Sequence, residues 1–238
     1  MTRPVPAAVT VKAIRTHLQA HGSAEHAAGV QWFFKEEVRS WGWYTEPLRR
    51  YGRTLHAELA GDQSRMLTVA SALFRSPVLE EKTLAVYLAQ RSLKRFDEAE
   101  FKGFEAWLDH VASWADHDAL AMFLLGPLLV ARPARARRVR VWARSRDRWH
   151  RRAAAVALIA GVSKGLFYAE ADDIATRLRR DGDDMVQKGL GWLLRVWCKA
   201  DRDAAIPVVM RIRGETSRLI VRTACEPLPP ADRARILA

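Results

Sequence analysis

The sequence has few of the residues and motifs that hold disulfides, metals or cofactors. Of its 238 residues only two are cysteines, Cys198 and Cys225, and they form no CxxC pair. This argues against a disulfide framework and a zinc–thiolate site, and it predicts a reducing compartment, the cytoplasm. The GxxxxGKS/T, GxGxxG and HExxH motifs are also missing, which argues against a P-loop, a dinucleotide site and a zinc protease helix. We therefore expect no cofactor and no metal.

Patterns for strands and for membrane spans are missing too. No run alternates β-branched with polar residues between Asn-Gly or Asp-Gly turns, so no strand is predicted. The longest apolar run, 119–131, is interrupted by Gly126 and Pro127 and is too short for a membrane span. We expect this run to be a buried helix, and we expect no membrane partner.

Acidic residues are scarce relative to basic ones. There are 27 Asp and Glu against 39 Lys and Arg, which gives a formal net charge of +12. This balance favours a polyanionic partner, nucleic acid first and an anionic membrane second. Arginine dominates, with 31 Arg and 8 Lys, and its planar guanidinium suits bidentate phosphate contacts. A coding bias toward Arg and Ala would give the same excess.

Helical patterns recur along the chain. They predict roughly a dozen helices of about 10–17 residues, joined by short Gly, Pro, Asp or Ser breaks. Short connections favour antiparallel neighbours, and pairs that repeat every 40–47 residues or so are typical of HEAT-like solenoids. We predict one all-α HEAT-like domain over 1–238, a superhelix of antiparallel helix pairs with a concave basic face. A plain helical bundle is the alternative.

Two segments concentrate basic residues. One predicted helix carries an aromatic and three basic residues at steps of four, three and four, which places them on one face. These residues are Lys188, Trp192, Arg195 and Lys199. The segment 132–152 holds ten Arg and a single acid, and within it Arg144, Arg148 and Arg152 follow at steps of four. We predict a phosphate-binding groove with interleaved aromatics; a solvated charged face would show the same pattern.

The segment 113–118, SWADHD, contains more than a helix start. Ser113 and Asp116 have the spacing of a capping box. Trp114 and Asp118 have no part in that box, yet they are four residues apart and therefore share one face of the helix. A core tryptophan and an ordinary first-turn acid would give the same pair.

Repeat spacing connects this pair to the two basic segments. Trp114, Arg152 and Trp192 are separated by 38 and 40 residues, close to one repeat each. In a solenoid, equivalent positions of successive repeats line up along one surface. We therefore predict that Trp114, Asp118, Arg152 and Trp192 meet on the concave face.

One carboxylate, two indoles and a guanidinium are sufficient for one kind of chemistry on DNA. A purine alkylated at N3 or N7 is cationic and leaves without protonation, so it needs no general acid of the kind that sugar hydrolases use. A fixed carboxylate can stabilise the cationic sugar and orient a water molecule. Indole faces attract the cationic base, and arginine holds phosphate.

At these residues the chain resembles the AlkD family of alkylpurine DNA glycosylases, which have HEAT-like repeats. The matching pieces are SWADHD at 113–118, HRRAAAVAL at 150–158 and QKGLGWLLR at 187–195. The resemblance implies that Asp118 is the catalytic carboxylate and that Trp114 and Trp192 contact the alkylated nucleotide. It also implies that Arg152 holds phosphate, that Arg195 contacts DNA, and that a monomer acts on alkylated duplex DNA without a protein partner.

The sequence departs from the family pattern in places. Ala115 stands where the family often has an acid, and His117 stands where an aliphatic residue commonly precedes the catalytic Asp. Near the amino terminus, where the match is poorest, Trp32 and Tyr44 are candidates for DNA contacts, although such aromatics are more often core residues.

Two other functions fit the same sequence. A HEAT-like protein with this groove could bind damaged or branched DNA without catalysis, in which case Asp118 would be dispensable. An Arg-rich helical scaffold could instead bind an acidic protein, which would leave no salt-dependent affinity for DNA.

Overall fold

The computed structural model describes residues 9–238, and this part of the chain is α-helical. Outside the helices it contains one isolated bridge, between Arg39 and Val78. The all-α prediction is confirmed. The α-helices, labelled α1 to α16 in chain order, are Val11–Ala20, Ala24–Gln31, Thr45–Leu59, Gln63–Phe74, Leu79–Gln90, Glu98–Ala106, Trp114–Leu120, Gly126–Ala131, Val139–Trp142, Arg148–Val156, Ile159–Val162, Tyr168–Leu178, Asp184–Ala200, Arg202–Ile212, Arg218–Cys225 and Pro230–Leu237. Short 3-10 segments occur at Leu93–Arg95, Trp107–His110 and Pro133–Arg138.

The chain divides into two compact units, one ending at Arg95 and the other beginning at Phe96. Each unit is described by itself. The predicted single domain over 1–238 stays a prediction, and residues 1–8 of it lie outside the described part of the chain.

In the first unit, a buried carboxylate holds the segment before α3. Glu80, at the start of α5, accepts a hydrogen bond from the Ser40 hydroxyl at 2.6 Å. It also accepts from the backbone amides of Trp41, Gly42 and Trp43 at 3.0–3.1 Å. A buried carboxylate is stable only when such donors surround it, and here one side chain fixes three successive amides of a segment without regular structure.

In the second unit, ion pairs link segments that are distant in sequence. Arg140 on α9 pairs with Asp173 on α12 at 3.0 Å, and their separation in sequence is 33 residues. Arg151 on α10 pairs with Asp181 at 2.7 Å, a separation of 30 residues. Both pairs therefore tie an earlier helix of the unit to the helix α12 or to the turn that follows it.

The apolar run predicted to be a buried helix belongs to a longer helical stretch. It starts at Trp114, passes through a π-helical turn at Ala121–Leu125 and ends at Ala131. The 18 residues of the whole stretch are long and apolar enough to cross a membrane by length and composition only, and the predicted run is the later part of it. Half of the stretch is buried within the structure, as in a core helix.

The predicted ladder of Arg144, Arg148 and Arg152 on one helix is also wrong. Asp147 caps a new helix by accepting from the amide of Trp149 at 2.6 Å. Arg144 therefore lies in the turn before α10, and only Arg148 and Arg152 share a helix.

Candidate active site

The first turn of α7 is fixed by the predicted capping box. Ser113 and Asp116 hydrogen-bond each other's backbone in the reciprocal manner of that motif. The buried Asp116 carboxylate also accepts from the amides of Ala112 and Ser113, each at 2.8 Å. These hydrogen bonds fix the first turn of α7. They therefore also fix the direction in which the side chains of the next turn point.

Asp118 lies at this next turn, and Arg152 of α10 holds it in a two-pronged ion pair. The Arg152 Nε donates to Asp118 Oδ1 at 3.0 Å, and Nη2 donates to Oδ2 at 2.8 Å. Parallel hydrogen bonds of this kind are among the strongest that a carboxylate makes. The Asp118 side chain remains 20% exposed.

Arg152 itself is 5% exposed. Its remaining nitrogen, Nη1, donates to the Met185 carbonyl at 2.6 Å. Room for the guanidinium comes from Gly189 on α13, because a Cβ at that position would lie 3.0 Å from Arg152 Cγ. All three guanidinium nitrogens of Arg152 bind within the protein, and its phosphate contact stays a prediction.

His117 completes the group from the other side. Its ring is fully buried and stacks on Trp149 of α10 at 5.6 Å between centroids. The Nδ1 atom lies 2.6 Å from Asp118 Oδ1 and 3.2 Å from Arg152 Nε. The Nε2 atom is buried without a hydrogen-bond partner among the described residues.

Both titratable groups of the cluster are shifted. Burial alone would raise the pKa of Asp118, but the hydrogen bonds from His117 and Arg152 and the charge of Arg152 outweigh burial and lower this pKa. Burial lowers the pKa of His117, and the attraction of Asp118 only partly opposes the shift. At neutral pH the cluster thus holds an ionised carboxylate and a neutral imidazole.

The two tryptophans flank this cluster on their helices. Trp114 is half-buried and lies on α7 four residues before Asp118, as predicted. Trp192 is half-buried on α13, three residues after Gly189, and so lies on the side of α13 near Arg152. Among the four predicted residues, direct contact joins Asp118 and Arg152.

Comparison with known proteins identifies the family and the fold of the chain. The family model of the DNA alkylation repair enzymes matches residues 14–228. The chain belongs to the DNA alkylation repair enzyme family. Its fold is similar to that of a solved structure, a predicted DNA alkylation repair enzyme from Enterococcus faecalis, at 19% identity and a TM-score of 0.80. That match covers 88% of this chain and 97% of the other, and a search of curated proteins finds no match.

Because the chain belongs to a DNA repair family, its basic residues are of interest as contacts to DNA. The structure shows which of the predicted contacts form ion pairs within the chain and which do not. Three of the predicted contacts to DNA already have acidic partners. The pairs are Arg148 with Asp183 at 3.7 Å, Lys188 with Asp184 at 3.2 Å and Arg195 with Glu226 at 2.9 Å. Arg144 and Lys199 are exposed, and neither has an ion pair within residues 9–238. These two side chains can therefore meet phosphate without first leaving an acid.

In the first unit of this family member, large aromatics are exposed. Trp32 is 91% exposed and Tyr44 is 61% exposed, so neither is a core residue. Tyr44 stacks on His26 at 4.0 Å between centroids. Phe33, which the sequence analysis overlooked, is 76% exposed beside Trp32. The signal that could have found it is the run of three aromatics at 32–34, too many for one buried face of a short helix.

Proposed function

We propose that this protein is a DNA glycosylase that hydrolyses the N-glycosidic bond of cationic N3- or N7-alkylated purines in duplex DNA. The observation that carries the proposal is the Asp118–Arg152 pair: an ionised carboxylate that is held by two hydrogen bonds and whose side chain remains partly exposed. A monomer is sufficient, since every residue of the cluster comes from the second unit of one chain.

The protonation states of the cluster suit a nucleobase that can leave the sugar without being protonated by a general acid. A lowered pKa keeps Asp118 without a proton at neutral pH. His117 is neutral because burial lowers its pKa, and the Arg152 guanidinium does not release protons in proteins. No group of this cluster is therefore a ready proton donor for the leaving base. An alkylated purine is already cationic and fits such a site.

The reaction follows from these charges. The bond between C1′ and the base nitrogen breaks, both electrons go to the base, and they neutralise its positive charge. The sugar becomes an oxocarbenium-like cation, which the fixed charge of Asp118 stabilises. A water molecule oriented by the open edge of Asp118 adds to C1′ and loses its proton to solvent. The products are the free base and an abasic site.

Arg152 has a positioning role in this proposal. Its guanidinium holds Asp118 and the Met185 carbonyl, and it would have to leave both to grip a phosphate. We assign phosphate binding to exposed cations such as Arg144 and Lys199. Trp114 and Trp192 would place their indole faces against the alkylated nucleotide, where a cation–π contact is worth about 0.5–2 kcal/mol.

Substrate choice tests the proposal. We expect release of free 7-methylguanine from a duplex oligonucleotide, and no release of uracil from a matched duplex, because uracil leaves as an anion without protonation. Chromatography of the released base measures both. Robust excision of uracil without release of 7-methylguanine would overturn the mechanism. Tight binding without release from either duplex would instead favour a non-catalytic protein for damaged DNA.

Arg144→Ala should weaken binding to duplex DNA several-fold and reduce the slope of log affinity against log salt by about one, the effect of losing one phosphate contact. The physical reason is that Arg144 is exposed and has no ion pair among the described residues. Salt titrations with a fluorescent duplex measure both quantities.

Arg140→Ala is the matched control, since Arg140 is exposed but pairs with Asp173. It should change the slope less. An equal effect of both substitutions would mean that overall charge, and not the unpaired side chain at 144, governs DNA affinity.

A further inference from the structure

The buried ring of His117 is the feature that the proposed mechanism leaves unused. Its Nε2 atom has no hydrogen-bond partner among residues 9–238, although the ring is fully buried. A leucine at this position would bury similar volume and leave no polar atom unsatisfied. An orphaned nitrogen lowers stability, so the useful atom of this ring must be the other one, Nδ1.

Geometry fixes where the proton of the ring lies. Nδ1 is 2.6 Å from Asp118 Oδ1, and an ionised carboxylate can only accept. The Nδ1 atom therefore carries the hydrogen, and Nε2 carries the buried lone pair. With Nδ1 protonated, the neighbouring Nε–H of Arg152 has one acceptor left, the same Oδ1 at 3.0 Å.

The two oxygens of Asp118 are consequently unequal. Oδ1 accepts two hydrogen bonds, one from His117 and one from Arg152, whereas Oδ2 accepts one, from Arg152 Nη2 at 2.8 Å. The free acceptor position of Oδ2 is the one available to water or sugar. Oδ1 therefore has no acceptor position left, whereas Oδ2 has one.

We propose that His117 is a positioning residue for Asp118: as a neutral Nδ1–H donor it saturates Oδ1, keeps the carboxylate ionised and leaves Oδ2 as the reactive edge. The inference rests on the proposed function of Asp118 as the reacting carboxylate. The charged groups that act on the imidazole are Asp116 and Asp118 on its own helix and Arg152 on α10. Trp149, also on α10, covers the ring face.

The test compares His117→Leu, which removes the donor, with His117→Asn, whose side-chain amide can place an N–H near the position of Nδ1. Release of 7-methylguanine requires ionised Asp118, so the rate falls as pH falls through the pKa of Asp118. Loss of a donor to the charged form raises that pKa. The acid limb of the pH–rate profile should therefore move upward by about one pH unit in His117→Leu and stay near the wild type in His117→Asn.

Two measurements without substrate keep this inference separate from the glycosylase proposal. Nitrogen-15 chemical shifts of the wild-type protein should show His117 protonated at Nδ1 and bare at Nε2. Carbon-13 titration of the Asp118 carboxyl, assigned with Asp118→Asn, should show a higher pKa in His117→Leu than in the wild type.

Different results would overturn the glycosylase proposal and the positioning role of His117. A wild type without 7-methylguanine release defeats the glycosylase proposal, while the two spectroscopic results still decide the role of His117. A proton on Nε2 would overturn the positioning role without any variant. The positioning role would also be overturned if the Asp118 carboxyl had the same pKa in the wild type and in His117→Leu. It would be overturned as well if the pH–rate profile of His117→Asn matched that of His117→Leu.

Discussion

Asp118→Asn should lower the rate of 7-methylguanine release by a factor of about 10² to 10³, the size found when a preorganised electrostatic contact to a transition state is removed. Asparagine has nearly the same shape and can still accept from Arg152, but it carries no charge to stabilise the cationic sugar. The affinity for DNA should stay the same or rise slightly, because an acid near the phosphates is removed. Single-turnover release and equilibrium binding measure the two effects on one preparation.

Asp109→Asn is the matched control for this substitution. Asp109 lies in the 3-10 segment just before α7 and is mostly exposed, with His150 as its partner at 2.9 Å. It makes the same change of charge near the cluster without touching it. Full release by Asp118→Asn, or equal losses in both variants, would remove Asp118 from the centre of the mechanism.

Arg152→Met should destabilise the protein by about 3 kcal/mol, the lower range for breaking a buried ion pair, and should also abolish release. Methionine fills much of the volume of the arginine stem, yet it removes the hydrogen bonds that Arg152 donates to Asp118 and to the Met185 carbonyl. Urea unfolding followed by tryptophan fluorescence measures the free energy of unfolding. A loss of this size is a large part of the 5–15 kcal/mol or so that a domain possesses.

A double substitution isolates the ion pair. Asp118→Asn combined with Arg152→Met should lose less stability than the sum of the two single changes, because a neutral amide needs the guanidinium less than a carboxylate does. Arg53→Met is the control: its pair with Glu46 at 2.8 Å is exposed on both sides, and exposed pairs contribute little to stability. Strict additivity of the double substitution would show that the two side chains are not coupled.

Local signals in the sequence were sufficient for the helices and for part of the site. The capping box of Ser113 and Asp116 lies within four residues, so its partners are neighbours in any helix that starts there. The basic face of α13 follows from period alone, and the structure places 184–200 in one uninterrupted helix. The fold and the family were likewise predicted, since both depend on patterns that repeat along the chain.

The ion-pair partners of the charged residues could not be predicted in this way. Repeat spacing predicted that Arg152 and Asp118 lie on one surface, but not that they form an ion pair across 34 residues, because a run of arginines offers several candidates for one acid. The helix break before α10 was missed because the steps of four in 144–152 continue across it. The hydrogen bond between His117 and Asp118 was not predicted because adjacent residues on a helix point about 100° apart, so their neighbouring positions alone do not indicate that their side chains meet.

Asp147 is the one acid among ten arginines in 132–152, and it touches no part of the site. By accepting from the amides of Trp149 and His150 it decides at which residue α10 begins. The cap satisfies the first amides of the helix that carries Arg152, while the buried residues of α10 hold that helix in its rotation against its neighbours. An acid outside the ion pair therefore stabilises the first turn of the helix that presents Arg152 to Asp118.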